Sequence, residues 1–533
     1  MKLPRYYYGI LLIIPLFYIS LSSYFHENIG LYSLRTADPE YIYYICGVEI
    51  ANGHMKVGNI DHPGTTLQYF LAATFRVTYW IRGNNIPFNE DILSHADLYL
   101  KVANSAISFV IVLMMYLLGY LTILIVPNIW YGLIIQFSPF VSEIVYSDMG
   151  RITPEAIMPV LLMLLSVYVL SLLFNKYQAG TRNSILVFAT LIAITLALKL
   201  TLVFIILIPL FLIPDWKKKL YFLFATFFIF LLFAIPVTLQ LDYFWRWIKG
   251  LFFFSGQYGS GEKNIVKVNE FIPNIVNLIK LNHLYFKYTF FFLASFVLTF
   301  IFRKKSTNSM LNKLSLAISI VVFIQVLALG KHFKTTYFIP ALMLLPLMII
   351  LTSEYLKVWI PERFSRIIPA VLTISVVFFF LTGQRNSIIQ LSQHFEKENT
   401  EKMKAYYYLK SVEENSIKIL SIGFYGAPSE EYALRTSYEW SGKDKAFFHP
   451  TLKKLYPDTY FYYPWDKTIN YWGEDLNIKD TDRPVYIYLE NNNLKDTFLA
   501  DTQAYFPQNY ELQQTFFNEA TNEAVYKLIK SSE

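Results

Sequence analysis

Residues 184–214 read SILVFATLIAITLALKLTLVFIILIPLFLIP, an almost unbroken apolar run with one charge, Lys199, at its middle. At roughly thirty residues the run is too long for one membrane span and short for two. A lysine at the centre of a bilayer costs at least ~2.5 kcal/mol. Two short helices that turn at Lys199 remove that cost by raising the ammonium to the outer face. The flanks agree: Lys176 and Arg182 precede the run and Lys217-Lys218-Lys219 follow it, so both ends lie on one side. This hairpin reading sets the side of every segment after it, and with that the fold.

Working outward, a first span runs from about Tyr6 to Tyr24 behind Lys2 and Arg5, and a polar first loop follows over 26–97. Further apolar runs lie near 98–118, 121–141, 153–174, 220–241, 287–302, 314–329, 336–353 and 367–383. With the hairpin this makes about eleven spans, a polytopic α-helical membrane protein. If the N-terminus is cytoplasmic, the basic clusters at Lys176/Arg182, 217–219, Arg303-Lys304-Lys305 with Lys313, and Lys357/Arg363/Arg366 all fall inside. The first loop and the C-terminal segment then face outward. Residues 1–383 are expected to form the membrane-embedded domain. Residues 384–533 turn polar and Tyr-rich, and are expected to form a small soluble extracytoplasmic α/β domain. Strand-like stretches at 416–424, 484–489 and 524–529 carry that expectation.

Composition agrees. Of 533 residues 55% are hydrophobic and only 16% charged, where a soluble chain carries about 25%. Mean hydropathy is +0.37. The net charge of +7 resides in short loops between apolar runs and is no nucleic-acid signature. A single cysteine, Cys46, excludes an internal disulfide framework. The apolar N-terminal run has no small-residue cleavage site after it and reads as a retained anchor.

The chemistry-bearing residues gather at the ends of spans. Asp38-Pro39-Glu40 precedes an aromatic helical stretch, so Asp38 is either its N-cap or a general base, with Glu40 orienting the site or binding a cation. Asp61-His62-Pro63-Gly64 marks a turn, and a turn alone needs neither Asp61 nor His62. Asp148, Arg151 and Glu155 stand at the start of a span. Ionisable residues there are functional by default, although Glu155 also suits a helix first turn. Lys199 joins them, as do Lys331 and His332 in Lys331-His332-Phe333-Lys334, which suit a phosphate or an interfacial anchor equally. The glycine-rich GQYGSG at 256–261 follows no strand and reads as a loop able to act as a substrate lid. There is no P-loop, dinucleotide fingerprint, zinc pattern or nucleophile elbow, which argues against nucleotide-driven transport.

This order of motifs over residues 1–383 resembles the GT-C superfamily of integral-membrane glycosyltransferases, in the branch of protein O-mannosyltransferases and lipid A aminoarabinose transferases. The shared features are Asp38 and Glu40 after span one, His62-Pro63 some twenty residues later, Arg151 with Glu155 opening a span, and Lys199 within a long apolar hairpin. The family usually has Asp-Glu adjacent and His-Pro-Pro. Here Pro39 intervenes and Gly64 replaces the second proline. In the C-terminal segment, 425–427 and 431–434 resemble outer domains of bacterial members.

The resemblance implies an inverting glycosyltransferase with a polyprenyl-phosphate-linked sugar donor. It would act on an acceptor lipid, glycan or protein at the outer face of a bacterial inner or plasma membrane. Asp38 would be the base with Glu40 and His62 beside it. Arg151, Lys199, Lys331 and His332 would receive the donor phosphate, and Asp61, Asp148 and Glu155 would complete the substrate site. No cofactor is required. A divalent metal held by Glu40, Asp148 or Glu155 is compatible with the family, but no ligand set in the sequence demands it. Two other classes compete: a transporter or flippase for a lipid-linked saccharide, and an assembly subunit whose soluble domain binds a partner. A transporter is expected to carry mid-membrane charges and two related halves. Neither is evident here.

Overall fold

A computed structural model describes the chain except for residues 1–3, 36–37, 84, 255–262, 264–265, 304–307, 424–427, 476–482, 504, 507–509 and 531–533. The glycine-rich stretch 256–261, Lys304-Lys305 and 425–427 therefore lie outside the described residues. Among the described residues, seven helices are long and apolar enough to cross a membrane: Tyr6–Ile29, Ala96–Ile125, Pro154–Leu173, His283–Phe302, Ser309–Lys331, Thr335–Lys357 and Glu362–Ser411. At 1.5 Å per residue, the 20 residues of Pro154–Leu173 cover a hydrocarbon core of about 30 Å. The protein is a multi-pass membrane protein.

The remaining expected spans occupy other helices, several of them shortened or broken, and proline accompanies some of the breaks. Pro127 ends one helix, and Asn128 caps Ile129–Gln136 by accepting a hydrogen bond from the Trp130 N–H at 3.0 Å. The 184–214 run becomes the helix Arg182–Leu198, a 3-10 turn Leu200–Ile206 and a short helix Leu207–Leu212 that contains Pro209. Pro236 likewise follows the end of the helix Trp216–Phe233.

The chain divides into two compact units. The first comprises Met1–Ser23, Ile60–Leu67 and Ala106–Leu391. Within it, 83% of the apolar windows of Pro154–Leu173 and Thr335–Lys357 is buried in protein, against 22% for His283–Phe302. The first two are thus interior helices, and the third shows most of its surface to lipid. Polar side chains tie helices together where apolar packing has no aqueous competitor. Tyr355 donates to Ser315 at 2.9 Å, and Tyr285 donates to the Ala341 carbonyl at 3.0 Å.

The second unit comprises Tyr24–Asn59, Gln68–Ser105 and Ser392–Glu533. Its centre is a seven-stranded sheet of β1 (Ile417–Ser421), β2 (Thr459–Tyr463), β3 (Thr468–Tyr471), β4 (Glu474–Asp475), β5 (Val485–Leu489), β6 (Tyr510–Asn518) and β7 (Glu523–Lys530). The order is β4-β3-β2-β1-β5-β7-β6, with β1 parallel to both β2 and β5 and the other pairings antiparallel. Ile419, Ile487, Leu489, Tyr462 and Phe498 form its core. The three expected strands are β1, β5 and β7, and the sheet domain has the expected α/β character.

The first loop is not a solvated excursion. Its helix Glu40–Ala51 packs on the helix Glu430–Tyr438, and Phe88–Ser94 packs on His449–Leu455. The Gly58 N–H donates to the Trp440 carbonyl at 3.0 Å. Gly442 sits at φ +66°, and a Cβ there would come within 2.2 Å of the Lys56 carbonyl oxygen, so only glycine fits. Buried carboxylates hold the rest. Asp91 receives a bidentate Arg82 fork at 3.0 Å on each arm plus the Tyr99 hydroxyl, and Asp97 receives the Ser33 hydroxyl at 2.8 Å.

Candidate functional site

The first unit assembles a polar cluster at the junction of several of its helices. Glu155 lies in the first turn of Pro154–Leu173, behind Thr153, whose hydroxyl accepts from the Ala156 N–H at 3.2 Å. Its position suits the helix dipole, and its side chain also has a specific partner, because the Lys199 ammonium donates to it. Lys199 occupies the extended residue between Leu198 and the 3-10 turn. The break comes where the hairpin reading put it, but the ammonium is not lifted into solvent. Lys199 is 4% and Glu155 7% exposed, and each neutralises the other. A buried pair removes the penalty that the turn was expected to remove.

The loop before Thr65 lies against the end of Arg182–Leu198. Gly64 takes φ +64°, and its N–H is shared between the His62 carbonyl at 2.6 Å and the Leu198 carbonyl at 3.1 Å. Thr65 and Thr66 donate to the carbonyls of Ala197 and Ile194 at 3.0 and 3.1 Å. These bonds satisfy carbonyls left open at the helix terminus and hold His62 in place. The His62 ring stands edge-on to Trp247 at 5.2 Å and to Tyr337 at 6.0 Å. Lys199 and Lys334 place their ammonium groups 5.5 and 5.7 Å from the same Tyr337 ring. A cavity of about 160 Å³ opens here, with His62, Trp247, Phe204, His332, Lys334 and Tyr337 in its lining. Its walls are largely aliphatic and aromatic, and Lys334 brings an ammonium group to them.

Burial, then Lys199 and Lys334, push the His62 pKa down to about 3, against a smaller opposing pull from Glu155. The imidazole is therefore neutral at pH 7, and the positive charge of the cluster comes from lysine. The sign of the stability effect follows. As pH falls from the ordinary 6.5 towards 3, the unfolded chain binds a proton that folded His62 refuses, so this contribution, full above 6.5, is lost. His62→Gln removes it. The gap in thermal midpoint between wild type and H62Q should shrink from pH 7 to pH 4.5, and a constant gap would mean that His62 is not held neutral.

The other expected residues take other places. Asp61 is half-buried and hydrogen-bonded to the Tyr243 hydroxyl, with its pKa raised by burial. Asp148 lies 3.9 Å from the Arg151 guanidinium and accepts from Thr153 at 3.3 Å. Lys331 donates to the carbonyls of Leu251 and Phe252 at 2.7 and 2.8 Å, and His332 lies 3.1 Å from the Leu251 carbonyl. Both thus engage the C-terminal end of the helix Leu241–Phe253, where cations are favoured. Asp38 and Glu40 belong to the second unit. The helix there starts at Glu40 with Pro39 at the cap position and no side-chain cap, so Asp38 is not its N-cap. Asp38 is exposed, whereas Glu40 is 1% exposed.

Tyr337, Trp247 and Tyr243 join the site without having been singled out, and Lys334 arrives with the Lys331-His332 motif. The helix Leu241–Phe253 alternates Asp242, Arg246 and Lys249 with Phe244 and Trp247, an amphipathic pattern that marks it in the sequence. Tyr337 has no such signal. Among the described residues, no group of three or more His, Cys, Asp or Glu side chains is arranged to hold a metal ion. Glu155 faces Lys199 instead, and these residues do not fit a metal centre.

The fold has a counterpart among solved structures. It is similar to the crystal structure of ArnT from Cupriavidus metallidurans bound to undecaprenyl phosphate. The TM-score is 0.52, over 96% of this chain and 97% of that one, at 9% sequence identity. No family model matches the sequence, and no curated protein matches it.

Proposed function

We propose that the protein is a glycosyltransferase that moves a sugar from a polyprenyl-phosphate-linked donor to an acceptor at the outer face of the membrane. The observation that carries this reading is the neutral His62 beside Lys199, Lys334 and Tyr337, at an aliphatic and aromatic cavity in an ArnT-like fold. An isoprenoid phosphate has one apolar end and one anionic end, as that cavity has apolar walls and cations. The Asp38 carboxylate takes the proton of an acceptor hydroxyl or amine, and the freed lone pair attacks the anomeric carbon. The bond from that carbon to the phosphate oxygen breaks with inversion, and the polyprenyl phosphate leaves with the electron pair. Charge grows on that oxygen, and fixed cations stabilise it most where water is excluded.

Lys334, which lines the cavity, is the foremost phosphate ligand. Arg151 and Lys331 contribute to the positive field, and His332, whose pKa burial lowers, contributes a neutral imidazole. The support for Asp38 is its exposure beside a helix start. Glu40, being buried, serves positioning. Residues 384–533 present or recognise the acceptor. Cells lacking the protein should accumulate one polyprenyl-phosphate-linked sugar, read by mass spectrometry of extracted lipids. An unchanged lipid-linked sugar pool would refute the reading.

A further inference from the structure

The first unit holds a second and larger cavity, of about 410 Å³, between the 141–147 segment, the start of His283–Arg303, Thr335-Thr336 and the helix around Gln384. Its wall is largely apolar, with hydroxyls and amides supplied by Ser142, Ser147, Asn282, Thr336, Gln384 and Ser387. Among the described residues no lysine or arginine lines it, and its charge is confined to Glu143 and His283. A phosphate has nothing there to pair with.

Two buried oxygens in this wall, Thr336 Oγ1 and Gln384 Oε1, have no hydrogen-bond partner among the described residues. An unmade bond of this kind costs about 1–3 kcal/mol, so each oxygen calls for a donor from outside the wall. The Gln384 amide nitrogen is directed at the Val141 carbonyl at 3.5 Å, and Asn282 is held by Ser142 at 3.2 Å and by the Leu278 carbonyl at 3.2 Å. The amides are thus oriented in advance. The two cavities also share a partition. Phe333, Lys334 and Tyr337 line the cationic one, while Thr335 and Thr336 line the larger one.

We infer that the larger cavity binds a neutral, hydroxyl-rich saccharide group, whose hydroxyls donate to Thr336 and Gln384. Assigning that group to the acceptor side of transfer, across the partition from the lipid phosphate, rests on the transferase reading. Saccharide binding itself does not.

The test uses the full chain in lipid nanodiscs, with methyl α-D-glucopyranoside and farnesyl phosphate as separate probes followed by saturation-transfer NMR. Wild type should bind both. Thr336→Val with Gln384→Leu should weaken glycoside binding at least about tenfold and leave farnesyl phosphate binding unchanged, which also reports an intact fold. The single substitutions stand in if the double variant misfolds. Lys334→Ala should do the reverse. Absent glycoside binding in wild type, or binding that survives T336V and Q384L, overturns the inference. Failure of the transferase reading looks different: farnesyl phosphate does not bind, while glycoside binding still depends on Gln384.

Discussion

Lys199→Met should lower the stability of the purified protein by about 3–5 kcal/mol, because it strands the Glu155 carboxylate inside the protein. Glu155→Leu should do the same by stranding the ammonium. The pair is 4% and 7% exposed, so solvent offers neither survivor relief. The double variant K199M/E155L replaces the pair with apolar side chains of similar length and should recover most of the loss. The apolar environment on both sides of Lys199 favours that outcome. Thermal unfolding in one detergent across all four proteins closes the cycle. Strictly additive losses would show that the two residues do not act as a pair.

The second large effect concerns Asp38. Asp38→Asn keeps size and polarity but cannot accept a proton, so the turnover number for sugar transfer should fall about 100- to 10,000-fold, the usual worth of a general base. Asp38 is exposed and is not a helix cap, so folding should be unaffected. Donor KM should change little, since the base acts on the acceptor. Activity within a factor of a few of wild type would remove Asp38 from the chemistry. Glu40→Gln alters a buried side chain at a helix start and should reduce stability as well as rate. The two acidic residues of one short motif are thereby separable.

How much of this was legible in the sequence depended on the range of the interaction concerned. Long apolar runs announce membrane helices because length and composition alone decide them, and the proline breaks at Pro127 and Pro236 are local as well. Lys199 stood out because a charge in lipid demands an explanation. That its explanation is Glu155, 44 positions away, is a tertiary fact with no local trace. The loop 26–97 read only as long and polar. Its packing on Glu430–Tyr438 depends on backbone approaches such as Gly442 against Lys56, which no periodicity encodes.

In the sheet domain, β5 was recognisable because all five of its residues are buried, giving a continuous apolar run. Strand β2 was masked by its aromatic composition next to Pro464. Strand β6 was masked by a register shift between Gln514 and Phe516, which interrupts its alternation. The candidate site shows the same division. His62 was visible as an imidazole that a Pro-Gly turn does not need, and Glu155 as an ionisable residue at the start of a span. Tyr337, around which His62, Lys199 and Lys334 gather, is an ordinary aromatic in an aromatic-rich chain.

The most direct test of the account is to reconstitute the purified full chain in vesicles that carry a polyprenyl-phosphate-linked sugar pool, supply an extract of envelope acceptors, and follow the lipids by mass spectrometry. The account predicts that the sugar-linked lipid is consumed, that free polyprenyl phosphate appears in equal amount, and that Asp38→Asn prevents both. A lipid-linked sugar that stays intact while crossing the bilayer, or that neither moves nor reacts, would contradict it.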